Sequence, residues 1–557
     1  MAYFDLGSYQ WPVTTKDPEA QRWFDRGMVW CYGFHHEEAI ACFERALERD
    51  PDLAMAHWAI AYAIGPNYNK PWEAFDDEDL RSSLDLARAQ VAAAADASAG
   101  ATEVESALIS ALAQRYPPDP AIPGPDDLGR WNDAYADAMR EVYRVHRDDL
   151  NVCALFAEAI MNRTPWQLWD LVTGEPADGA GTLEAVEVLE TAFETLDGEG
   201  ANSHPGLLHM YVHLMEMSPH PERAQAAGDR IVDLAPDAGH LNHISTHIDV
   251  LCGDYHLVVA RNSAAIVADR KYLDLEGPLN FYSLYRCHNY HFKVYGAMFA
   301  GQYRPALDAA EEMTRTLPAE LLQTPSPPMA DWLEGFVPVK QHVLVRFGKW
   351  QEILAQPLPD DQDLYCVTTA TIRYARTVAY ASTGQVDKAV AERAAFLAAK
   401  ARVLPSRKLF NNTCEDILDI AAAMLTGEVE YRRGNFDAAF THLRRAVELD
   451  DNLHYNEPWG WMQPARHALG ALLLEQGRVV EAEAAYRGDL GLDGQLRRAC
   501  QHPDNLWSLH GLHECLVRRG DTVEAPLIRQ RLDLAVARAD VSITASCFCR
   551  MDANASA

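Results

Sequence analysis

Paired histidines one helical turn apart are the residues of this sequence best suited to chemistry. "HPGLLHMYVHLME" (204–216) sets His209 and His213 four apart and follows them with Glu216. "HLNHISTHID" (240–249) repeats the spacing with His243 and His247, each displaced by 34 residues, and "CHNYHF" (287–292) adds His288 and His291. Residues three or four apart on a helix share a face, so each pair offers two ring nitrogens to one ion. Neutral imidazole is the commonest protein metal ligand. His209, His213 and Glu216 match the two-His, one-carboxylate set of non-haem iron, and six imidazoles match two three-His sites of a binuclear copper kind. A zinc site needs three ligands and an open position. A reading without metal also stands: clustered His and Glu as acid–base groups around an anionic ligand.

What positions these residues is an internal repeat. Residues 23–51, "WFDRGMVWCYGFHHEEAIACFERALERDP", carry Trp23, Gly27, Ala39, Phe43, Ala46 and Pro51. The order of aromatic, Gly, Ala, aromatic, Ala and closing Pro matches the tetratricopeptide (TPR) pattern. Small residues let two antiparallel helices approach, large ones fill the gap, and Pro ends the second helix. The grammar returns at Gly301, Ala306 and Pro318, at Gly434, Ala439 and Ala446, and at Gly477, Ala482 and Tyr486, with weaker copies around Gly348, Gly384 and Gly520. Apolar residues follow helical spacing and no strand is expected. The fold class read from this is all-α: a TPR-like right-handed α-solenoid of roughly eight to eleven helix pairs, given ~34 residues per repeat. Closure of the superhelix on itself would wall a central groove.

The organisation expected is a single solenoid over 1–557. It has N-terminal repeats at 20–75, central His-rich repeats at 204–318, C-terminal repeats at 420–540 and a Cys-containing tail at 541–557. The Pro/Gly-rich stretches 116–130, 172–181 and 317–329 read as loops, each a wall or lid over the groove.

The histidines keep the register of the repeat. Taking the small-residue position of the second helix as Ala224, Val258 and Ala306, His209, His243 and His291 each lie 15 residues before it. His213 and His247 lie 11 before it, Glu216 lies 8 before, and His288 precedes His291 by three. On first helices of successive repeats, packed about 8–10 Å apart, these residues should form one stripe on the concave face, with His240 at its edge. A lone HxxxH is usually inert; six histidines in one register over three repeats are harder to assign to packing. His467 and His510 hold the same register before Ala482 and Ala525, with His513 and Glu514 nearby. These fit a polar groove surface better than a second centre. Cys31, His35 and His36 fall in the first inter-helix turn and read as rim residues.

Other motifs are weaker. The residues after His209 and His243 are Met210 and Ile244, so the HExxH zinc-protease signature is absent, as are a phosphate-binding GxxxxGK[ST] loop and a GxSxG elbow. Cys547 and Cys549 form a Cys-x-Cys pair suited to a soft ion or a redox couple, on a tail whose default reading is unbonded. Trp72, Phe75, Trp166, Trp169, Trp459 and Trp461 are packing residues first; a pocket using Asn67, Asn69, Asn162 and Arg466 as polar contacts is the alternative.

Bulk properties exclude several classes. With 49 Lys and Arg against 81 Asp and Glu, the formal charge is −32. That excludes nucleic acid and anionic membrane as partners. No apolar run is long enough to span a bilayer, the N-terminus carries no secretory pattern, and 11 irregularly spaced cysteines suit reduced thiols in a cytoplasm.

The segments quoted above, with "EPWGWMQPARHALGALLLEQGRVVEAE" and "ASCFC", resemble a large group of bacterial TPR-containing proteins with fungal relatives and no defined activity. The resemblance implies the fold and supplies no substrate. Where ordinary TPR grooves present Lys, Arg and Asn, this one presents His. The leading expectation is a metal-dependent enzyme, an oxidase or oxygenase holding copper or iron, with zinc as the third metal, and acting on a small molecule in the groove. The alternatives are a scaffold that binds a peptide or partner protein in the groove, and a metal-binding protein without turnover.

Overall fold

The first repeat shows why this sequence folds into helix pairs. Pro18–Tyr32 starts at Asp17, whose carboxylate accepts from the backbone N–H groups of Glu19 and Ala20, and Pro18 needs no donor at that position. It packs against His36–Arg49. At Gly27 a Cβ would lie 2.3 Å from the Phe43 ring, so only glycine lets the two helices close. Ala39, Phe43 and Ala46 are fully buried between them.

The computed structural model describes residues 3–118, 123–195 and 198–551. Part of the 116–130 stretch and the last six residues of the tail therefore lie outside the described residues. By their contacts the residues group into two compact units. The first comprises Met1–Ile248 and Ala264–Gly277, the second Asp249–Ser263 and Pro278–Ala557.

The first unit continues the helix pairs through Ala54–Ile64, Asp77–Ala97, Glu103–Leu112, Pro125–His146, Leu150–Met161, Thr182–Thr195 and Pro205–Glu216. The stretch 116–130, expected as loop, gives way to helix at Pro125, where Pro again occupies the first turn. "HLNHISTHID" is not one continuous helix. Gly239–His243 and Thr246–Cys252 are separated by a turn at Ile244–Ser245, where the Thr246 hydroxyl donates to the His243 carbonyl at 2.7 Å. That competing bond takes an acceptor from the helical ladder.

The second unit repeats the same packing. A Cβ on Gly427 would meet Leu443 at 2.7 Å, the counterpart of Gly27 against Phe43, and Val258 and Ala306 are fully buried as the register requires. Against the expectation of no strands, Lys408–Leu409 pairs antiparallel with Asn412–Thr413. This two-residue ladder tightens the link between the helices Val386–Lys400 and Cys414–Arg432. The tail also departs from expectation, since it is bonded. Ala545, Ser546, Cys549 and Arg550 are buried. The Arg346 guanidinium donates to the Ser546 carbonyl, and Arg550 binds Glu514 at 2.8 Å.

Candidate metal centre

The helix Pro205–Glu216 is buried on every side, which is why its pattern is not amphipathic. His204 caps it by accepting from the Leu207 N–H at 3.2 Å. His209 and His213 sit one turn apart with ring centroids 4.8 Å apart. The Nδ1–H of His209 donates to the Tyr32 carbonyl, and its Nε2 has no partner among the described residues. Burial, reinforced by His213 and His243, holds the His209 pKa well below its usual value. The ring is therefore neutral with a lone pair at Nε2.

His240, on Gly239–His243, completes the group. Its ring lies 5.0 Å from that of His209 and 5.5 Å from that of His243. One ring nitrogen each of His209, His213 and His240 lie within 4.8 Å of one another.

Glu216 ties this group to the next pair. Its Oε1 accepts from His213 Nδ1 at 2.9 Å and its Oε2 from His247 Nδ1 at 2.6 Å. His247 Nε2 then lies 2.9 Å from His243 Nε2. Glu216 is 1% exposed, His209, His213 and His243 are fully buried, and His247 is 1% exposed. A carboxylate that accepts from Nδ1 fixes the ring tautomer and raises the basicity of Nε2, the arrangement found behind metal-ligating histidines.

The centre is enclosed rather than open to a solvated groove. Phe34, whose φ of 56° lies in the left-handed region, places its ring 4.5 Å from His209, 5.8 Å from His213 and 5.6 Å from His240. Tyr68 lies 4.8 Å from His213. The turn "GFHH" is thus part of the inner wall, where a rim had been expected. The His36 Nδ1–H donates to the Ala63 carbonyl at 2.6 Å, and burial lowers its pKa to about 4. A bulky residue held at positive φ is uncommon and marks functional sites more often than chance.

Arg115 was invisible to pattern reading. It is fully buried and stacks over Tyr135 at 4.4 Å. Its Nη1 reaches the Pro66 carbonyl at 3.4 Å, and its Nε and Nη2 find no partner among the described residues. Its charge is near enough to His36 to help lower that residue's pKa.

Of the expected site residues, His209, His213, Glu216, His243 and His247 are brought together in the first unit, with His240 added. His288 and His291 lie on Ser283–Phe299 of the second unit. There the His288 ring meets Phe292 and Phe410 edge-on, at 5.1 and 4.9 Å. His291 lines a cavity of about 30 Å3 with His342, Tyr374 and Trp461, and burial lowers its pKa to about 3, with His342 adding to the effect. His467 has both nitrogens engaged, by Arg346 at 2.8 Å and Asp489 at 2.9 Å, which makes it a structural residue. Arg466, expected as a pocket contact, is instead paired with Asp451.

A family model for the tetratricopeptide repeat matches residues 20–53. Over those residues the chain carries a tetratricopeptide repeat. The matched residues include Gly27, Ala39, Phe43 and Ala46, the positions that close the first helix pair. No curated protein matches the chain. Solved structures that it resembles include Naa15/Naa10 bound to HypK-THB, at 13% identity over 93% of this chain and 71% of that one, with a TM-score of 0.22. Yeast Tom70 is similar at 10% identity over 93% of each chain, with a TM-score of 0.25. The Cut9-Hcn1 hetero-tetramer of the APC/C is similar at 13% identity over 95% and 94%, with a TM-score of 0.22. The repeat assignment stands on the matched residues and the helix pairing, and the all-α TPR-like solenoid follows from both. No helix among the described residues is long and apolar enough to cross a membrane.

Proposed function

We propose that the protein is a metal-dependent enzyme, an oxidase or oxygenase that acts on a small anionic molecule at a transition-metal centre in the first unit. One observation carries this reading. His209 is locked by the Tyr32 carbonyl with its Nε2 unpartnered, and that ring offers a nitrogen within 4.8 Å of nitrogens of His213 and His240. Leaving a buried polar atom unsatisfied costs roughly 1–3 kcal/mol, which a coordinate bond would offset. Three imidazoles would suit copper, iron or zinc, and the redox-active metals would supply electron-transfer chemistry there. Glu216 orients His213 and His247, Phe34 and Tyr68 exclude water, and Arg115 is a ready counter-ion for a substrate carboxylate.

The test is metal analysis of untagged protein before and after loading with copper, iron and zinc, with His209→Gln and His240→Gln beside the wild type. Retention of one metal that both variants lose, with oxygen uptake on a panel of small carboxylates, is the expected result. Protein that stays metal-free after loading sinks the reading. Bound metal without turnover would leave a non-catalytic metal protein.

A scaffold role is the second reading. A cleft of about 730 Å3 beside the first repeat is lined by Asp17, Asp50, Asp52 and Glu105 with Lys16 and Arg49. Its acidic balance fits a basic peptide. A stoichiometric partner whose binding ignores chelators and fails on Asp50→Lys would favour it.

A further inference from the structure

The buried tail of the second unit brings Cys547 and Cys549 to the helix Cys414–Arg432. The two cysteines are joined as a disulfide, with Cα atoms 5.3 Å apart. One ligand atom each from Cys547, Cys549 and Glu428 lie within 4.8 Å of one another. Glu428 is 1% exposed, and its Oε2 has no hydrogen-bond partner among the described residues. A buried carboxylate oxygen without a partner calls for an explanation, and here it sits beside two sulfurs. Burial pushes the Glu428 carboxyl up to about 7, against the pull of Arg432.

The surroundings suit a dication. The Cys549 N–H lies 3.3 Å from Cys547 Sγ and donates to it, which favours that sulfur as a thiolate. Two thiolates and one carboxylate would carry three negative charges. A dication offsets two of them, and the Arg432 guanidinium, bonded to the Cys549 carbonyl and shared with Glu475 at 3.5 Å, lies beside the third. The segment is held from both sides: Ser546 meets Tyr486 and Arg346, and Arg550 meets Glu514. The ligand atoms are thus placed by packing before any ion arrives.

We propose that Cys547, Cys549 and Glu428 form a redox-gated site for a thiophilic dication of the zinc type. The site is independent of the histidine centre. In the disulfide the sulfurs carry no charge and are poor donors. A thiol or phosphine reductant breaks the S–S bond, supplying two electrons and becoming oxidised itself, while the sulfurs take up two protons. Binding the ion then releases those protons to solvent as two S–M bonds form and Glu428 provides the third ligand. A water completes a tetrahedron. Oxidation by a disulfide or peroxide reverses the sequence and expels the ion.

Cobalt(II) is the probe, because thiolate ligation gives a near-ultraviolet charge-transfer band that histidine ligation does not. Full-length protein is reduced with a phosphine under inert gas, desalted and titrated with Co2+, beside the oxidised protein. Expected are a thiolate band saturating at one equivalent in the reduced protein, no band in the oxidised protein, and loss of the band in Cys547→Ser/Cys549→Ser. Glu428→Gln should weaken binding on the order of 10-fold while keeping the band. If the double variant misfolds, the wild type decides: Zn2+ should protect Cys547 and Cys549 from iodoacetamide, read by mass spectrometry of the C-terminal peptide. A band that survives in the folded double variant, its absence from reduced wild type, or unprotected tail cysteines would overturn the proposal. Unchanged affinity in Glu428→Gln would remove the carboxylate from it. None of these outcomes touches the histidine centre, whose cobalt would absorb only in the visible.

Discussion

Glu216 Oε2 accepts from His247 Nδ1 at 2.6 Å while its Oε1 holds His213, so one buried carboxylate sets the tautomers of two histidines 34 residues apart. The residue that sequence spacing offers as a ligand is bonded in the folded chain to two of the histidines expected beside it. Its two oxygens are taken by Nδ1–H donors, which turns both Nε2 atoms away from it.

Replacing Glu216 by Gln leaves one acceptor where two are needed, so one of the two rings must lose its anchor. Metal affinity at pH 7, measured by competition with a chelator of known strength, should fall by about 10- to 100-fold. Affinity equal to wild type in a variant with unchanged circular dichroism would show that Glu216 does not orient ligands.

Stability of the metal-free protein should peak near pH 6.5. Burial lowers His36, His342 and His467 to about 4 and His204 and His291 to about 3, and it holds His209 well below its usual value. It also raises Glu158 to about 8 and Glu428 and Asp450 to about 7. Between about pH 4.5 and 6.5 the unfolded chain holds imidazole protons that the folded chain lacks. These outnumber the carboxyl protons held only by the folded chain, so stability rises with pH. From 6.5 to 8 the imidazoles are neutral in both states and the carboxyl protons remain only in the folded one, so stability falls. Each net proton is worth about 1.4 kcal/mol per pH unit. Urea midpoints in the presence of a chelator test this; a midpoint that climbs steadily from pH 6.5 to 8 would contradict it.

Gly27→Ala should destabilise the first unit by about 1–3 kcal/mol, although alanine is the better helix former by about 1 kcal/mol. The new Cβ would stand 2.3 Å from the ring of a fully buried Phe43, which has no room to yield. Thermal unfolding of the variant measures the sign, and a stabilised variant would mean that the helix pair relaxes freely.

The repeat was legible because close helix approach forces small residues at fixed spacing, and Gly27, Ala39 and Ala46 stand where that geometry requires them. The HxxxH register singles out His209, His213, His243 and His247, whose rings lie beside one another in the fold. It could not show that the helix carrying His243 and His247 breaks at Ile244–Ser245, since the break depends on one hydroxyl, that of Thr246, bonding backward. Burial was equally hidden. Phe34 reaches the histidines only by taking a left-handed backbone in a turn that spacing assigns to the rim. Arg115 carries no motif at all, because what distinguishes it is full burial without an ion pair among the described residues. The tail was misread for a related reason: Ser546 and Arg550 find their partners at Arg346, Tyr486 and Glu514, far away in sequence.

A fully buried guanidinium without a carboxylate partner is costly, by several kcal/mol after relaxation, and Arg115 has none among the described residues. Replacement by a hydrophobic residue of similar length should therefore be neutral or stabilising, by up to about 4 kcal/mol, when no ligand is present. A small carboxylate that reaches Arg115 should raise the melting temperature of the wild type, by the equivalent of about 2.7 kcal/mol at a hundredfold excess over its Kd. Arg115→Met should abolish that rise while melting no lower than wild type without ligand. Thermal melts of both proteins across a carboxylate series, with chloride at matched ionic strength as the control, separate a substrate-binding cation from a packing residue. If Arg115→Met melts several degrees lower in every condition, the guanidinium is part of the core.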